Sequence, residues 1–271
     1  MLQKITKRDQ KFDNKIKRLL DDWFRYDPLL ILKDASYGTA EHWKFIIYQV
    51  QRDAAQSLFF SYSNQHPGIG HKIVKRDDKV VYSAQVIAKA YYLRYCIILL
   101  QACGDKLTHL LTHALDIKKW RIEQRGRIQK FEVTEDNITL VNLKNHLKIN
   151  ENDPKSFFTV INRYLKNKSV KRIVFGLANQ IKHKWTKSYQ GEGLYPKKLQ
   201  GKNIKNHSGR VIFKSFPIMA MTHGEDINID IEHALITNNL FVDLANEVNG
   251  LLDFNKFYKI ENGKKILDLS S

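Results

Sequence analysis

The sequence predicts a mainly α-helical protein with one small β-hairpin near its C-terminus. Apolar residues recur every three or four positions through most of the 271-residue chain, a spacing that is typical of amphipathic helices. Beyond Val211 the spacing changes to an alternation of apolar and polar residues, which is typical of half-buried strands. The chain contains no internal repeat and no low-complexity linker. We therefore expect one helical domain with a hairpin insert.

Two amphipathic helices are predicted in the first quarter of the chain. The first runs from Leu2 to about Tyr26, and Pro28 follows its end. The second begins after Thr39 and runs to about Ser63, ahead of a turn that contains Pro and Gly.

The strongest helical pattern runs from about Asp78 to Leu115, where apolar residues fill more than half of the positions. It predicts a central helix that is buried on most sides. Cys96 and Cys103 fall inside this pattern, seven residues apart, and fit neither a disulfide framework nor a zinc site. We expect both to be core cysteines.

Compartment and membrane follow from the same patterns. The N-terminus becomes charged at once, without the apolar stretch of a secretory signal, which predicts a cytoplasmic protein. The apolar stretch between Val86 and Leu100 contains Lys89 and Arg94 and is shorter than the roughly 20 residues that span a bilayer. We expect no transmembrane segment.

Shorter elements are predicted in the middle of the chain. Thr134 starts a sequence that is suited to cap a short helix through Leu147. Two more helices are predicted, at about Asp153 to Asn167 and Ser169 to Tyr189.

The last third changes character. Glycines and lysines predict a surface loop between Gly191 and Gly209. The alternating residues predict two strands joined by a long loop and followed by a helix from about Ala234 to Tyr258; these residues are Val211 and Phe213, then Ile227, Ile229 and Ile231. The domain 1–271 thus divides into a core bundle at about 39–190, a basic loop at 190–210, and the hairpin with the C-terminal helix at 211–260.

Positive charge is concentrated in one segment. The formal net charge is +17, and a soluble protein with such an excess tends to bind an acidic partner. The segment from Arg163 to Lys214 contains fourteen Lys and Arg residues against one acid, Glu192. This segment predicts a polyanion contact, with RNA as the partner. Three aromatic residues within it can stack on bases between the cations: Trp185, Tyr189 and Tyr195.

A polar trio lies within one helical turn of this segment. Asn179, Lys182 and His183 lie beside an apolar stripe in which every fourth residue is apolar, so an amide, an ammonium and an imidazole can gather at one point. RNA cleavage by the 2′-hydroxyl needs a group of near-neutral pKa to move a proton and a cation to stabilise charge on the phosphorus. The trio supplies both.

These features resemble the HEPN superfamily of helical bundles. The resemblance rests on the central helix with its Cys103–Leu107 patch and on the helix that carries Asn179 and His183, within residues 79 to 190. The family motif is an Arg, four to six residues, and then a His, often with a polar residue directly after the Arg. His183 matches the motif His and Asn179 the polar position, whereas Ala178 stands where the family has Arg.

The resemblance implies an antiparallel HEPN-like bundle and RNA-directed activity. Many members are metal-independent endoribonucleases of toxin and phage-defence systems, which implies His183 as general acid or base and Asn179 as the residue that orients it. Substrate-binding roles go to four cations, Arg172, Lys182, Lys184 and Lys187. Arg172 lies eleven residues before His183, about 16 Å along a straight helix, so the motif arginine would come from a second chain.

The family also implies partners. Its active site usually forms at a two-fold dimer interface, so we expect a homodimer, and a cognate antitoxin or another defence-system protein is a further expected partner. No cofactor, bound metal or membrane is expected.

Other interpretations stay open. The chain can be a non-catalytic RNA- or protein-binding module with a degenerate site, which Ala178 favours. Asp105, His109 and His113 have a spacing that can offer metal ligands from one helix face, although buried polar roles are the default. Attachment to an anionic membrane surface ranks last, because the basic loop has little apolar anchor.

Overall fold

A computed structural model describes most of the helical part of the chain. The described residues are 15–19, 35–63, 66, 69, 73–76, 79–150, 156–183, 189–190, 192, 194–198, 204–205, 211–213, 217–221, 225–252, 258–261 and 264–267. Helices account for most of them, so the predicted mainly α class is confirmed.

Six helices organise the described residues. Five are regular: α1 (Ala35–Tyr62), α2 (Ala84–Ala114), α3 (Leu140–Asn150), α4 (Phe157–Lys166) and α6 (Ile227–Leu252). The remaining helix, α5, runs over 168–183 in three consecutive parts, Lys168–Val170, a π-helical stretch Lys171–Leu177, and Ala178–His183. Buried side chains from all six helices form one continuous apolar cluster.

The centre of the bundle is α2, which packs most extensively against α1 and also contacts α3, α5 and α6. It begins later than the predicted Asp78, because 79–83 form a strand and the Ser83 hydroxyl accepts the Val86 N–H. Cys96 and Cys103 are fully buried free thiols, as predicted. By length and hydropathy α2 would also be able to cross a membrane, a property that it shares with the central helices of soluble bundles.

The strands form two-stranded antiparallel sheets. Within the described residues there are five: β1 (Ile73–Arg76) with β2 (Lys79–Ser83), β3 (Lys119–Gln124) with β4 (Arg127–Glu132), β5 (Leu194–Lys198) with β8 (Pro217–Met221), β6 (Ile204–Lys205) with β7 (Val211–Phe213), and β9 (Tyr258–Glu261) with β10 (Lys264–Leu267). The β3–β4 hairpin lies in a stretch for which only a short helix was predicted. Strands β5 and β6 lie within the predicted loop 191–209, so that prediction is wrong over these residues.

The hairpin predicted between 211 and 231 is wrong in its second strand. Val211 and Phe213 lie in β7 as predicted, but β7 pairs with β6. Ile227 and Ile231 belong to the first turns of α6, where the buried pair at i and i+4 is also a helical spacing. The signal that decides is Asp226, whose carboxylate accepts the Asn228 N–H at 2.9 Å and caps the helix. Helix α6 ends at Leu252, before the predicted Tyr258.

The first predicted helix is wrong over residues 15–19, which have no regular structure, and its other residues lie outside the described chain. The backbone here bonds to side chains of α6 instead of to itself. The Lys17 N–H donates to Asn239 Oδ1 at 3.0 Å, and Asn238 Nδ2 donates to the Lys17 carbonyl at 3.3 Å. Ile16 and Leu19 are buried, so this short segment packs on the core.

A last correction concerns the predicted cap at Thr134. Residues Glu135–Asn137 form a separate 3-10 turn, and Thr139 caps α3 by accepting the Asn142 N–H at 3.2 Å. The short helix predicted through Leu147 is present, and extends to Asn150.

Candidate nucleic-acid interface

Helix α5 is wider than an α-helix over the seven residues Lys171–Leu177. The Ala178 N–H bonds to the Ile173 carbonyl, five residues back, instead of to the Val174 carbonyl. Gln101 of α2 directs its amide Nε2 at the Val174 carbonyl across a long 3.4 Å contact. π-Helical stretches are rare in proteins, and those that occur are often at functional sites. The stretch just before Asn179 therefore indicates a functional role for α5.

The apolar stripe of α5 packs on the core. Ile173 and Leu177 both face the core, and Val174 and Ala178 are buried beside them. Residues four apart share a face on an α-helix as well, so the stripe predicts burial of this side and does not by itself indicate the π turn.

The inner face of α5 is held on α6 by the ion pair between Arg172 and the buried Asp230. Arg172 Nε donates to Asp230 Oδ1 at 2.6 Å, and Arg172 Nη2 donates to Glu225 Oε2 at 3.0 Å. The Asp230 side chain is completely buried, and its second oxygen accepts the Tyr189 hydroxyl at 3.0 Å. One turn earlier, Ser169 Oγ hydrogen-bonds His233 Nδ1 at 2.9 Å. The predicted substrate-binding Arg172 therefore has its charge matched within the fold.

The single acid of the basic segment belongs to the same network. Glu192 is fully buried and pairs with Arg94 of α2 at 2.7 Å, and it accepts the Tyr189 N–H at 2.7 Å. Tyr189 is itself buried, so it cannot stack on a base as predicted. Burial, then the nearby Asp230 carboxylate, raises the pKa of Tyr189. Glu192 thus does not reduce the positive charge of the exposed surface.

The outer face of α5 carries a continuous exposed row, which we call the α5 row. Its members are three, four, four and three positions apart and therefore lie along one side of the helix: Lys168, Lys171, Phe175, Asn179 and Lys182. All five side chains are exposed, and Phe175 keeps 37% of its surface accessible. Within the described chain, none of the three lysines forms an ion pair.

The α5 row lies in a stretch without acids. Residues 156–183 contain no Asp or Glu but six Lys and Arg residues. Arg163 and Arg172 are paired to Glu247 and Asp230 of α6, whereas Lys166, exposed at the end of α4, extends the charge of the row. The result is a one-signed helical face, which raises the local concentration of anions.

Polar groups of α2 approach the C-terminal half of the row. Gln101 Nε2 lies 3.4 Å from Asn179 Oδ1, and Asn179 Nδ2 donates to the Phe175 carbonyl at 2.9 Å, so the Asn179 amide is oriented. Burial raises the pKa of Asp105, and the positive charge of Lys182, followed by that of Lys106, partly offsets this. An amide, a carboxyl and an ammonium thus lie near one another.

The other predicted site residues have different outcomes. His183 is the last residue of α5, and its side chain lies outside the described chain, as do Lys184, Lys187 and Trp185. The backbone of the other proposed stacking residue, Tyr195, lies in β5, and its side chain is not described. The roles predicted for these side chains stay predictions.

The position where the HEPN motif has its arginine is occupied by Ala178 in this chain. Ala178 is completely buried against the core. A side chain at this position points to the bundle interior and not to the exposed row. The signal for a functional α5 therefore lies elsewhere, in the scarcity of acids, which the charge count along the sequence already shows, and in the exposed Phe175, which the sequence pattern does not indicate.

The alternative metal site on α2 gains no support. Among the described residues, no group of three or more His, Cys, Asp or Glu side chains could hold a metal ion. His109 is buried and stacks on Trp43 with ring centroids 4.4 Å apart, and this burial lowers the pKa of His109. His109 serves the packing between α1 and α2.

Comparisons with known proteins found no matching family model, curated protein or solved structure. The HEPN resemblance therefore stays a prediction that rests on the residues quoted for it.

Proposed function

We propose that this protein binds single-stranded RNA along the α5 row. The observation that carries the proposal is an exposed helical row of one aromatic ring and three lysines that form no ion pair with the described residues, in a 28-residue stretch without acids. Lysines neutralise phosphates, and an exposed ring between them offers a platform on which a base of any identity stacks.

The row has the dimensions of a short strand site. Fourteen residues separate Lys168 from Lys182, which corresponds to about 21 Å along a helix. At about 3.4 Å per stacked nucleotide, this length matches about six nucleotides. Asn179, with its amide held by Gln101, offers a directional hydrogen bond to a base edge or a 2′-hydroxyl.

Arg172 enters the proposal in a changed role. Because two carboxylates hold its guanidinium, we assign it to positioning α5 rather than to contacting RNA. Lys182 contacts the phosphate backbone, and Lys184 and Lys187, which follow directly in sequence, continue the same contact.

The test is fluorescence anisotropy with a labelled single-stranded RNA of about 20 nucleotides over about 50–200 mM salt. The triple variant Lys168→Ala, Lys171→Ala and Lys182→Ala is compared with wild type. The matched control removes three exposed lysines elsewhere, Lys118, Lys119 and Lys148, each of which forms an ion pair. Both variants lose three charges, so a difference between them reports the site and not the net charge.

We expect the α5 triple to weaken binding by about tenfold or more and to lower the slope of log K against log salt by about two. The control triple should change the slope little. Equal affinities for the two variants would exclude the α5 row as the contact.

A second candidate function is metal-independent RNA cleavage at the end of the row. It is favoured by the approach of Gln101 and Asp105 from α2 to Asn179 and Lys182, next to a π-helical stretch. His183, one residue further, would transfer the proton of the attacking 2′-hydroxyl, and Lys182 would stabilise the charge on the phosphorus.

Cleavage is tested by incubating labelled single-stranded RNA and transfer RNA with the protein in EDTA. Cleavage by wild type and not by His183→Ala would support the nuclease. Binding by both proteins without cleavage would leave recognition as the function. The Arg that the family motif requires would come from a second chain, so the same samples are measured by light scattering, where a dimer is expected if the site is complete.

A further inference from the structure

A second group of unpaired cations lies on the β3–β4 hairpin, far along the chain from α5. Every residue of β4 is exposed. Arg125, Arg127 and Lys130 are exposed and form no ion pair within the part of the chain that the structure describes. The hairpin is thus a cationic arm, and we call 119–132 the β-arm.

The base of the β-arm is firmly attached. Trp120 is fully buried, and its indole Nε1 donates to Asn137 Oδ1 at 2.6 Å. Asn137 Nδ2 donates in turn to the Glu132 carbonyl at 2.9 Å. On the other side, the Arg121 N–H donates to His146 Nδ1 of α3 at 3.1 Å. These bonds attach the base of the arm to the rest of the fold.

The cations of the arm point in different directions. Arg127 is paired with Gln124 and Lys130 with Arg121, and side chains three positions apart on a strand point to opposite faces. Arg125 lies in the turn. The acids of the arm are paired with lysines, Glu132 at the base with Lys119 at 2.9 Å, and Glu123, opposite Ile128, with Lys148 at 3.6 Å. Uncompensated positive charge therefore occupies both faces and the tip.

The tip holds an arginine in an unfavourable conformation. Arg125 has φ 50° and Gly126 has φ 74°, which is the geometry of a two-residue type I′ turn. Asn or Gly is preferred at the first position, and a left-handed conformation costs other residues about 1–2 kcal/mol. The turn would therefore be more stable with the neutral Asn or Gly at this position than with the cationic Arg125.

We propose that the β-arm inserts into the groove of a nucleic-acid duplex. An anionic surface that lies flat would neutralise one face of the arm only, whereas a groove has a phosphate wall on each side. The major groove of B-form DNA is about 12 Å wide and accepts a two-stranded ribbon. Ile128, 52% exposed on the same face as Lys130, offers an apolar contact to base edges. The groove width assigns the arm to a DNA duplex, because the major groove of an RNA duplex is deep and narrow.

The experiment measures anisotropy of the whole chain with three labelled probes of about 20 nucleotides or base pairs, namely a DNA duplex, an RNA duplex and a single-stranded RNA. The arm variant combines Arg125→Ala, Arg127→Ala and Lys130→Ala. The control combines Lys17→Ala, Arg52→Ala and Lys118→Ala, because it removes the same charge from exposed ion pairs outside the arm.

We expect the arm variant to bind the DNA duplex about tenfold more weakly than the control, with a salt slope lower by about three, and to bind single-stranded RNA like the control. A loss of affinity confined to the RNA duplex would overturn the assignment to DNA. Equal binding of both duplexes by the two variants, or no duplex binding by wild type, would overturn the proposal and favour an acidic protein as the partner of the arm. Failure of the α5 proposal is read separately, from the single-stranded probe.

A single substitution tests the tip without weakening the fold. Arg125→Asn places the residue that type I′ turns prefer at this position, so we expect a higher melting temperature together with weaker duplex binding. Duplex binding equal to that of wild type would overturn insertion, because the tip is the deepest point of an inserted arm.

Discussion

The two faces of α5 carry the same sign of charge and use it in opposite ways. On the inner face, Arg172 is held by Asp230 and Glu225, and that network extends through Tyr189 to Glu192 and to Arg94 of α2. On the outer face, lysines stand exposed without ion pairs in the described chain. A count of charges along the sequence does not separate these two groups.

The division follows the chemistry of the two side chains. The planar guanidinium of Arg172 makes hydrogen bonds to two carboxylates at once, which suits a partly buried ion pair. The strongly hydrated ammonium of Lys suits a solvent-facing contact with phosphate. We infer that Arg163 and Arg172 hold α4 and α5 on α6, and that the lysines of the α5 row form the binding surface.

The largest expected effect breaks the inner face. Asp230→Ala removes the partner of both Arg172 and the buried Tyr189 hydroxyl, and we expect a loss of about 3 kcal/mol in the free energy of unfolding, at the lower end for a buried pair because Arg172 is partly exposed. The measurement is urea denaturation. Asp243→Ala on the same helix, which frees the exposed Lys17, should cost less than about 1 kcal/mol. Similar losses for the two variants would contradict a structural role for the inner face.

The next effect tests which face the family motif would use. Ala178→Arg forces a long side chain into a fully buried position, and overpacking alone should destabilise the fold by about 1–3 kcal/mol. Asn179→Arg, one residue further and exposed, should be nearly neutral in the same denaturation series. A stable Ala178→Arg protein that cleaves RNA would show that this position reaches the site after all.

The aromatic ring of the outer face gives a smaller effect. Phe175→Ala should weaken binding of single-stranded RNA by about 1 kcal/mol, at the lower end for base stacking because the ring is only 37% exposed. Phe175→Tyr should restore the affinity, since it keeps a ring, and Phe175→Leu should not. If the Leu variant binds as well as wild type, the contact is apolar packing and not stacking.

The structure also shows which parts of this division the sequence can predict. Long helices such as α2 are found because their apolar period is strong, and they contact the core on most sides. The β-arm is missed because its exposed strand has no apolar period, with all six residues of β4 at the surface. The start of α6 is missed because Ile227 and Ile231 satisfy a strand and a helix pattern equally well, and only the cap at Asp226 decides.

The site is predicted less completely than the fold, for a physical reason. The sequence indicates the basic segment and the turn around Asn179, but the pairing of Arg172 depends on Asp230, 58 residues away, and that of Glu192 on Arg94, 98 residues away. Such partners are brought together by packing and have no signature in local spacing. The exposure of Phe175 likewise depends on how α5 packs against α2 and α6.

The smallest expected effect separates the stability of the fold from binding at the outer face by pH. Burial lowers the pKa of His66, His109 and His146. Nearby basic groups lower it further: Lys89 at His66, Lys106 and His113 at His109, and Arg121 at His146. At His109 the Glu135 carboxylate acts in the opposite direction. The unfolded chain therefore binds more protons than the folded chain below the ordinary histidine pKa of about 6.5, so stability should be full above it and fall as the pH drops toward the lowered values.

We expect binding of RNA to the α5 row to be constant between about pH 6 and 8, while the melting temperature decreases toward acid. Thermal unfolding and anisotropy on the same samples check both halves. His66, His109 and His146 belong to other parts of the chain than α5, so binding that strengthens toward pH 6 would point to a different imidazole. The candidates are His183, the last residue of α5, and His233, which bonds Ser169 of α5. Loss of that strengthening in His183→Ala but not in His233→Gln would assign it to His183.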